Sequence, residues 1–295
     1  MDMDLEGVIG EHEFYCCGAR ILLRDRELRI LSKPRVAYCP LMEGIYGIRE
    51  INAEALKHIV NMKVRGFGFC CEHRLFDPSM VVPYGSSEII STCIEDGLIE
   101  CGVTVCDGAG TVVTANPKLV QEIGARLTGI VRTSPIKGIM EHIRRVGGAI
   151  LDENTAKIDQ ASGVMLAADL GYRRIAVTVA CFNSDSIEKI REIERERDLS
   201  VAIFSVCNTC ATREDAERIA LGADIVCASA SRIIREVVGP RALMQLGVAI
   251  PVFALTSAGK RLLLSYLTRF KDKIVAFRVK SLPYLAEGRG PRLRE

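Results

Sequence analysis

Apolar residues along this chain recur at two spacings, and the alternation between them sets the first expectation. Short runs of strand-like character fall at 103–106, 127–131, 149–151, 175–179, 201–206, 225–227 and 248–255. Between most of them lie stretches of helical period, at 186–197, 214–221, 232–238 and 259–270. Thr212 and Asp215 have the spacing of a capping box, and Gly222 stands where that helix should end. Strands alternating with helices in this way predict βαβ units and an α/β fold. The expected form is a mostly parallel, doubly wound sheet with helices on both faces, with a closed α/β barrel as the alternative.

The front of the chain is less regular. Ile21–Leu23 and 28–31 flank a polar turn at residues 24–27, which predicts a β-hairpin. Asn52 caps a predicted helix over 53–64 whose inward face holds Ala55, Leu56, Ile59 and Val60. A further helix runs from Ser86 or Ser87 to Gly97 with Cys93 facing the core, and Pro117 opens another through Gly124. The change of rhythm near residue 84 suggests a cysteine-rich front part over 1–84, an α/β domain over 85–285 and a flexible tail over 286–295.

Composition narrows the function classes. In 295 residues, 39 Lys and Arg stand against 37 Asp and Glu, so no global basic field points to nucleic acid. Trp is absent and aromatics are few, which weakens any base-stacking surface. The acidic opening Met1–Asp4 lacks the apolar stretch of a secretory signal after it, and no run is long enough for a membrane span, so a cytoplasmic location is expected. Twelve cysteines in such a chain call for metal binding, sulfur chemistry or plain burial.

The strand 103–106 ends in Cys106-Asp107 and runs into Gly108-Ala109-Gly110-Thr111. Two glycines allow a sharp turn that exposes backbone N–H groups, so Gly108, Gly110 and Thr111 are candidates to cradle an anion beside Cys106 and Asp107. Cys181, Cys207 and Cys227 also end or follow predicted strands, which places four thiols on one carboxyl edge, where open α/β sheets bind ligands. Cys207-Asn208-Thr209-Cys210 is a lone CxxC, read as ligand or loop rather than redox catalyst. Cys39, fixed before Pro40, and Cys70, in a glycine-bounded loop, are metal-ligand candidates, with Cys16, Cys17, Cys71 and His73 as auxiliaries. The segment 257–260 lacks the first glycine of a phosphate-binding P-loop, and 107–111 does not match a dinucleotide fingerprint.

Six segments together carry a resemblance: Tyr38-Cys39-Pro40-Leu41, Phe67-Gly68-Phe69-Cys70, the stretch 105–113, Thr133-Ser134-Pro135-Ile136, the stretch 151–159 and the stretch 175–179. They resemble the methanogenesis marker protein 8 family across roughly residues 20 to 275. The resemblance implies a cytoplasmic archaeal protein with a partner in the methyl-coenzyme M reductase pathway, and it names no reaction. Cys39, Cys70 and Cys106 lie inside these segments. The leading expectation is therefore that they ligate an iron–sulfur cluster, with Cys207 as fourth ligand and zinc or no metal as alternatives. A persulfide enzyme using Cys106, with Asp107 or His73 handling protons, is the second expectation, and a non-catalytic scaffold is the third.

Overall fold

The structure is a computed structural model that describes residues 5–124 and 128–294. The acidic opening 1–4, the first position of the expected strand 127–131 and the last residue lie outside the described residues. Three strands come first: β1 (Glu11–Cys16), β2 (Ala19–Arg24) and β3 (Glu27–Ile30). Then follow β4 (Val36–Tyr38), α1 (Pro40–Tyr46), α2 (Ala53–Phe67) and α3 (Ser86–Glu95). The middle holds β5 (Cys101–Cys106), β6 (Gly110–Thr114), α4 (Pro117–Gly124), β7 (Gly129–Thr133), α5 (Lys137–Arg145) and β8 (Gly148–Ile150). Regular alternation begins with α6 (Gln160–Asp169), β9 (Arg174–Ala180), α7 (Ser186–Glu196) and β10 (Ser200–Val206). It continues through α8 (Arg213–Gly222), β11 (Ile225–Cys227) and α9 (Arg232–Val237). The chain closes with β12 (Met244–Leu246), β13 (Val252–Ala254), α10 (Ser257–Arg269) and β14 (Arg292–Leu293).

The main sheet has eight strands in the order β12-β13-β11-β10-β9-β5-β6-β8 and stays open. Its centre, β11, β10, β9 and β5, is parallel, while the strands at both edges pair antiparallel. On one face Val164 of α6, Ile190 of α7, Ile219 of α8 and Ile234 of α9 pack together. On the other, Ile89 and Ile90 of α3, Val120 of α4 and Leu263 of α10 do so. The α/β reading with helices on both faces therefore holds, and no barrel closes.

A second, four-stranded antiparallel sheet has the order β3-β2-β1-β7. α2 covers it, setting Leu56, Ile59, Val60 and Val64 against Phe14, Ile21 and Leu23. Its fourth strand, β7, comes from beyond residue 84, so chain continuity and the two sheets do not divide at the same place. The last residues, expected as a loose tail, pair through β14 with β4. Helices α5 and α6 were absent from the expected elements; α6 is short and rich in small residues, which blurs its period.

The 107–111 loop is a buried hairpin turn between β5 and β6. Gly110 sits at φ 70°, and a Cβ there would lie 2.2 Å from the Ala156 carbonyl oxygen. Neither the backbone angle nor the carbonyl can yield cheaply. Gly110→Ala is expected to lower stability by about 2–4 kcal/mol, measured as a drop in the chemical-denaturation midpoint. A loss within error of zero would mean that the turn is not packed this tightly.

Candidate functional site

Asp107 is the hub of the front half of the molecule. Its carboxylate accepts the Cys70 backbone N–H at 2.9 Å through Oδ2 and the Arg74 Nε–H at 2.8 Å through Oδ1. The Cys106 thiol lies 3.9 Å from Oδ1. Both charged side chains are sealed from solvent, so each needs the other. Arg74 also donates to the Glu122 carbonyl at 3.2 Å and lies 4.3 Å from the centre of the Phe76 ring, which stacks on His142 at 3.8 Å.

The backbone groups expected to bind an anion are engaged inside the chain. Gly108 N–H donates to Thr133 Oγ1 at 2.8 Å, Ala109 N–H to the Cys106 carbonyl at 3.3 Å and Thr111 N–H to the Lys157 carbonyl at 3.0 Å. Thr111 Oγ1 accepts from Asp159 N–H at 2.8 Å. Thr133 Oγ1 in turn meets Nδ1 of the buried His12 at 2.6 Å, while His12 Nε2 donates to the Ile9 carbonyl at 2.7 Å. A carbonyl only accepts, so Nε2 carries a proton. Burial is the main cause that lowers the His12 pKa, with Ile9, Asp107 and Glu11 opposing it.

The cysteines expected at the carboxyl edge are there, because β5, β9, β10 and β11 are parallel. They do not face one space. Cys106 packs among Ile136 and Ile139, on the side of α5. Cys181 joins the core under α7 and donates its thiol to the Cys207 carbonyl at 3.2 Å. Only Cys207 and Cys227 of the four open onto the large cavity above this edge.

That cavity measures about 700 Å³ and lies between the carboxyl edge of the main sheet and the β1–β2 turn, α1 and the 82–88 segment. Five thiols line it: Cys17, Cys39, Cys207, Cys210 and Cys227. Four of the nine described non-glycine residues at positive φ also line it, namely Cys17 (49°), Tyr84 (61°), Cys207 (54°) and Ser229 (50°). Cys17-Gly18 is the two-residue turn joining β1 to β2, with φ positive at both residues, a conformation that favours Asn, Asp or Gly over Cys. Thr104 also lines the cavity, its hydroxyl buried and without a hydrogen-bond partner among the described residues.

The expected ligand set is divided. Cys70 and Cys106 stand by Asp107. Cys39, at the start of α1, has Cys16 and Cys17 as its thiol neighbours, whereas Cys207 has Cys227, Cys210 and the Lys63 side chain. Among the described residues no group of three or more His, Cys, Asp and Glu side chains is arranged to hold a metal ion. As placed, Cys39, Cys70, Cys106 and Cys207 do not fit one cluster. His73 is exposed and Cys71 is buried.

Burial sets most of the thiol acidities. It pushes Cys207 up to about 12, raises Cys39, Cys210 and Cys227, and lifts Cys70 well above the ordinary thiol range. Cys16 is the exception, lowered to about 7. The Cys17 thiol donates to it, burial opposes, and the Lys63 ammonium favours the thiolate. Cys17 is raised by the same hydrogen bond, so the two titrate as one pair. Lys63 is itself fully buried and donates to Thr128 Oγ1, and burial lowers its pKa against the pull of Cys16, Cys17 and Cys207.

The reading of isolated motifs missed Cys17 and Lys63 as principal groups, although both left a trace. Cys-Gly between two apolar runs is a two-residue hairpin signal. Lys63 falls one helical turn beyond Ile59 and Val60, on the buried stripe of α2.

Two comparisons bear on identity. The profile of a family described as "Uncharacterized protein conserved in archaea (DUF2099)" matches residues 12–268. The chain belongs to this family. It is also similar to "Uncharacterized protein MJ0054" of Methanocaldococcus jannaschii, 36% identical over 269 residues that cover 90% of this chain and 93% of the relative. The matched span runs from β1 to α10 and so contains both sheets and almost the whole cavity wall. Among the described residues no helix is long and apolar enough to cross a membrane.

Two outcomes follow from the buried groups. Asp107→Ala strands the Arg74 guanidinium and frees the Cys70 N–H, and is expected to cost about 3–5 kcal/mol in equilibrium unfolding; a loss below about 1 kcal/mol would mean that the pair does not hold the layers together. The second concerns acid. His12 has a folded pKa below its unfolded value, so between the two the unfolded chain binds more protons. Stability is therefore full above about pH 6.5 and falls as pH drops below it, by at most about 1.4 kcal/mol per pH unit for one group. His142, also lowered by burial, adds to the same slope. His12→Gln should flatten the denaturation midpoint between pH 7 and 5; an unchanged slope would remove His12 from this account.

Proposed function

We propose that this protein is a thiol-dependent enzyme that admits a small, largely apolar molecule to the cavity between its sheets and acts on it through the Cys16–Cys17 pair. The observation that carries this reading is the convergence of five thiols on one cavity, two of them, Cys17 and Cys207, on left-handed backbone. Such backbone persists where the surroundings impose it, and it concentrates at functional sites. Sulfur transfer suits the arrangement. A thiolate of the pair attacks the outer sulfur of a persulfide donor, the donor leaves as its own thiolate, and the pair carries the transferred sulfur as Cys–S–SH. Cys17 takes this role rather than Cys106: it is the member of the pair that opens onto the cavity and it becomes the thiolate when its proton passes to Cys16, whereas Cys106 is 1% exposed and packs against α5. Lys63 favours the thiolate, and the half-buried Cys207 and Cys227 stay protonated.

The resemblance to the methanogenesis marker protein 8 family supplies the setting: an accessory role in maturing methyl-coenzyme M reductase or its cofactor, with a protein of that pathway as partner. Membership in an archaeal family is compatible with that setting.

The test is chemical and is done without oxygen. Protein exposed to a low-molecular-weight persulfide should carry one sulfane sulfur on the Cys16–Cys17 peptide by mass spectrometry, and Cys17→Ser should lose it while Cys106→Ser keeps it. Alkylation of the pair should rise with a midpoint near pH 7. Lys63→Met should move that midpoint up by about a unit and Lys63→Arg should restore it. Stoichiometric iron with visible absorption, lost in Cys39→Ala and in Cys70→Ala, would replace this reading with the cluster; label on Cys106 alone would move the chemistry to the hairpin.

A further inference from the structure

A second cavity, of about 550 Å³, lies where α9 meets the last residues of the chain. It adjoins the thiol cavity, since Val248 and Ala249 line both. Its chemistry is different. Three arginines, Arg232 and Arg235 from α9 and the exposed Arg292 from β14, contribute to its wall. Arg232 is engaged by Glu236 at 2.6 Å. Arg235 and Arg292 have no carboxylate partner among the described residues. Arg292 lies 4.9 Å from the centre of the Tyr38 ring, which fixes its direction without using its donors. Arg235 is half-buried beside the Gly290 backbone, and a Cβ on that glycine would come within 3.8 Å of Nη1. Burial, then the neighbouring charge of Arg232, makes its cation costly, with Glu236 opposing only in part. The exposed Glu287 also lines the space and forms no ion pair among the described residues.

A guanidinium held part-way out of water with idle donors is a poor arrangement for stability alone, and paired forks of this kind match an oxyanion. We propose that this cavity binds the phosphate group of a small-molecule ligand between Arg235 and Arg292. Two unpaired cations correspond to the dianion, and the space is larger than inorganic phosphate needs, which leaves room for the rest of the ligand. Gly290 in the wall keeps the backbone low beside Arg235. The inference is independent of the thiol cavity and stands whether or not that cavity performs sulfur transfer.

The experiment is calorimetric titration of the full chain with inorganic phosphate, with sodium acetate and sodium chloride at matched ionic strength. Phosphate should bind saturably at one site, at least tenfold tighter than acetate, and chloride should give no saturable signal. Arg235→Gln should weaken phosphate binding at least tenfold, and Arg213→Gln, an exposed arginine on α8, should leave it unchanged. If Arg235→Gln fails to fold, Arg292→Gln carries the same expectation. Acetate binding as tightly as phosphate, no saturation beyond chloride, or full affinity in Arg235→Gln and Arg292→Gln would each overturn the assignment. Alkylating Cys17 beforehand should leave phosphate binding intact, which separates this site from the thiol chemistry.

Discussion

One buried carboxylate holds the two halves of this molecule in register. Asp107 belongs to the turn after a central strand, yet its oxygens bind the Cys70 backbone and the Arg74 side chain, both contributed by the irregular front segment. A charge sealed this well is tolerable only with its partner in place. The contact therefore fixes where the front segment crosses the main sheet. From that crossing follow the position of the antiparallel sheet over the carboxyl edge and the cavity between them. His12, Thr133 and the Gly108 N–H extend the same contact as an unbroken hydrogen-bond chain to β1 and β7.

The cavity wall is assembled from parts that are unrelated in sequence. The β1–β2 turn brings Cys17, the start of α1 brings Cys39, and the main sheet brings Cys207 and Cys227. Hydrogen bonds from thiols stitch some of these parts together: Cys210 donates to the Gly18 carbonyl at 3.5 Å, linking the CxxC segment to the hairpin turn. The CxxC thus contributes to closing the site through the Cys210 thiol and the Cys207 carbonyl, which accepts from Cys181. Burial keeps most of these thiols protonated, and the one pair that departs from this pattern lies beside a buried lysine. The hydrogen bond from Cys17 to Cys16, helped by that cation, separates this thiol pair from the rest.

The regular part of the fold was legible because its causes are local. Alternation along 175–179 and 201–206, the Asn52 and Thr212 caps and the proline at 117 act within a few residues, and each element formed where those signals place it. Strand 127–131 was recognisable as a strand, but its partner, β1 in the other sheet, was not. Pairing across more than a hundred residues leaves no periodic mark. The glycine loop shows the same limit. Its two glycines announced a tight turn, and the turn exists, but whether its N–H groups face a ligand or the chain itself depended on Thr133 and Lys157 arriving beside it.

By itself the sequence determined that parallel strands would end in cysteine, and so which edge of the sheet would carry the thiols. Only the tertiary structure decided which of them meet. The register puts Cys106 and Cys227 at equivalent positions on the same face, yet α5 covers Cys106 while Cys227, and Cys207 just past the end of β10, stay open to the cavity; the layer that closes over each is chosen by contacts distant in the chain. Edge placement is a property of connectivity and period. Convergence is a property of packing, and it rests here on a buried ion pair that no short stretch of the chain contains.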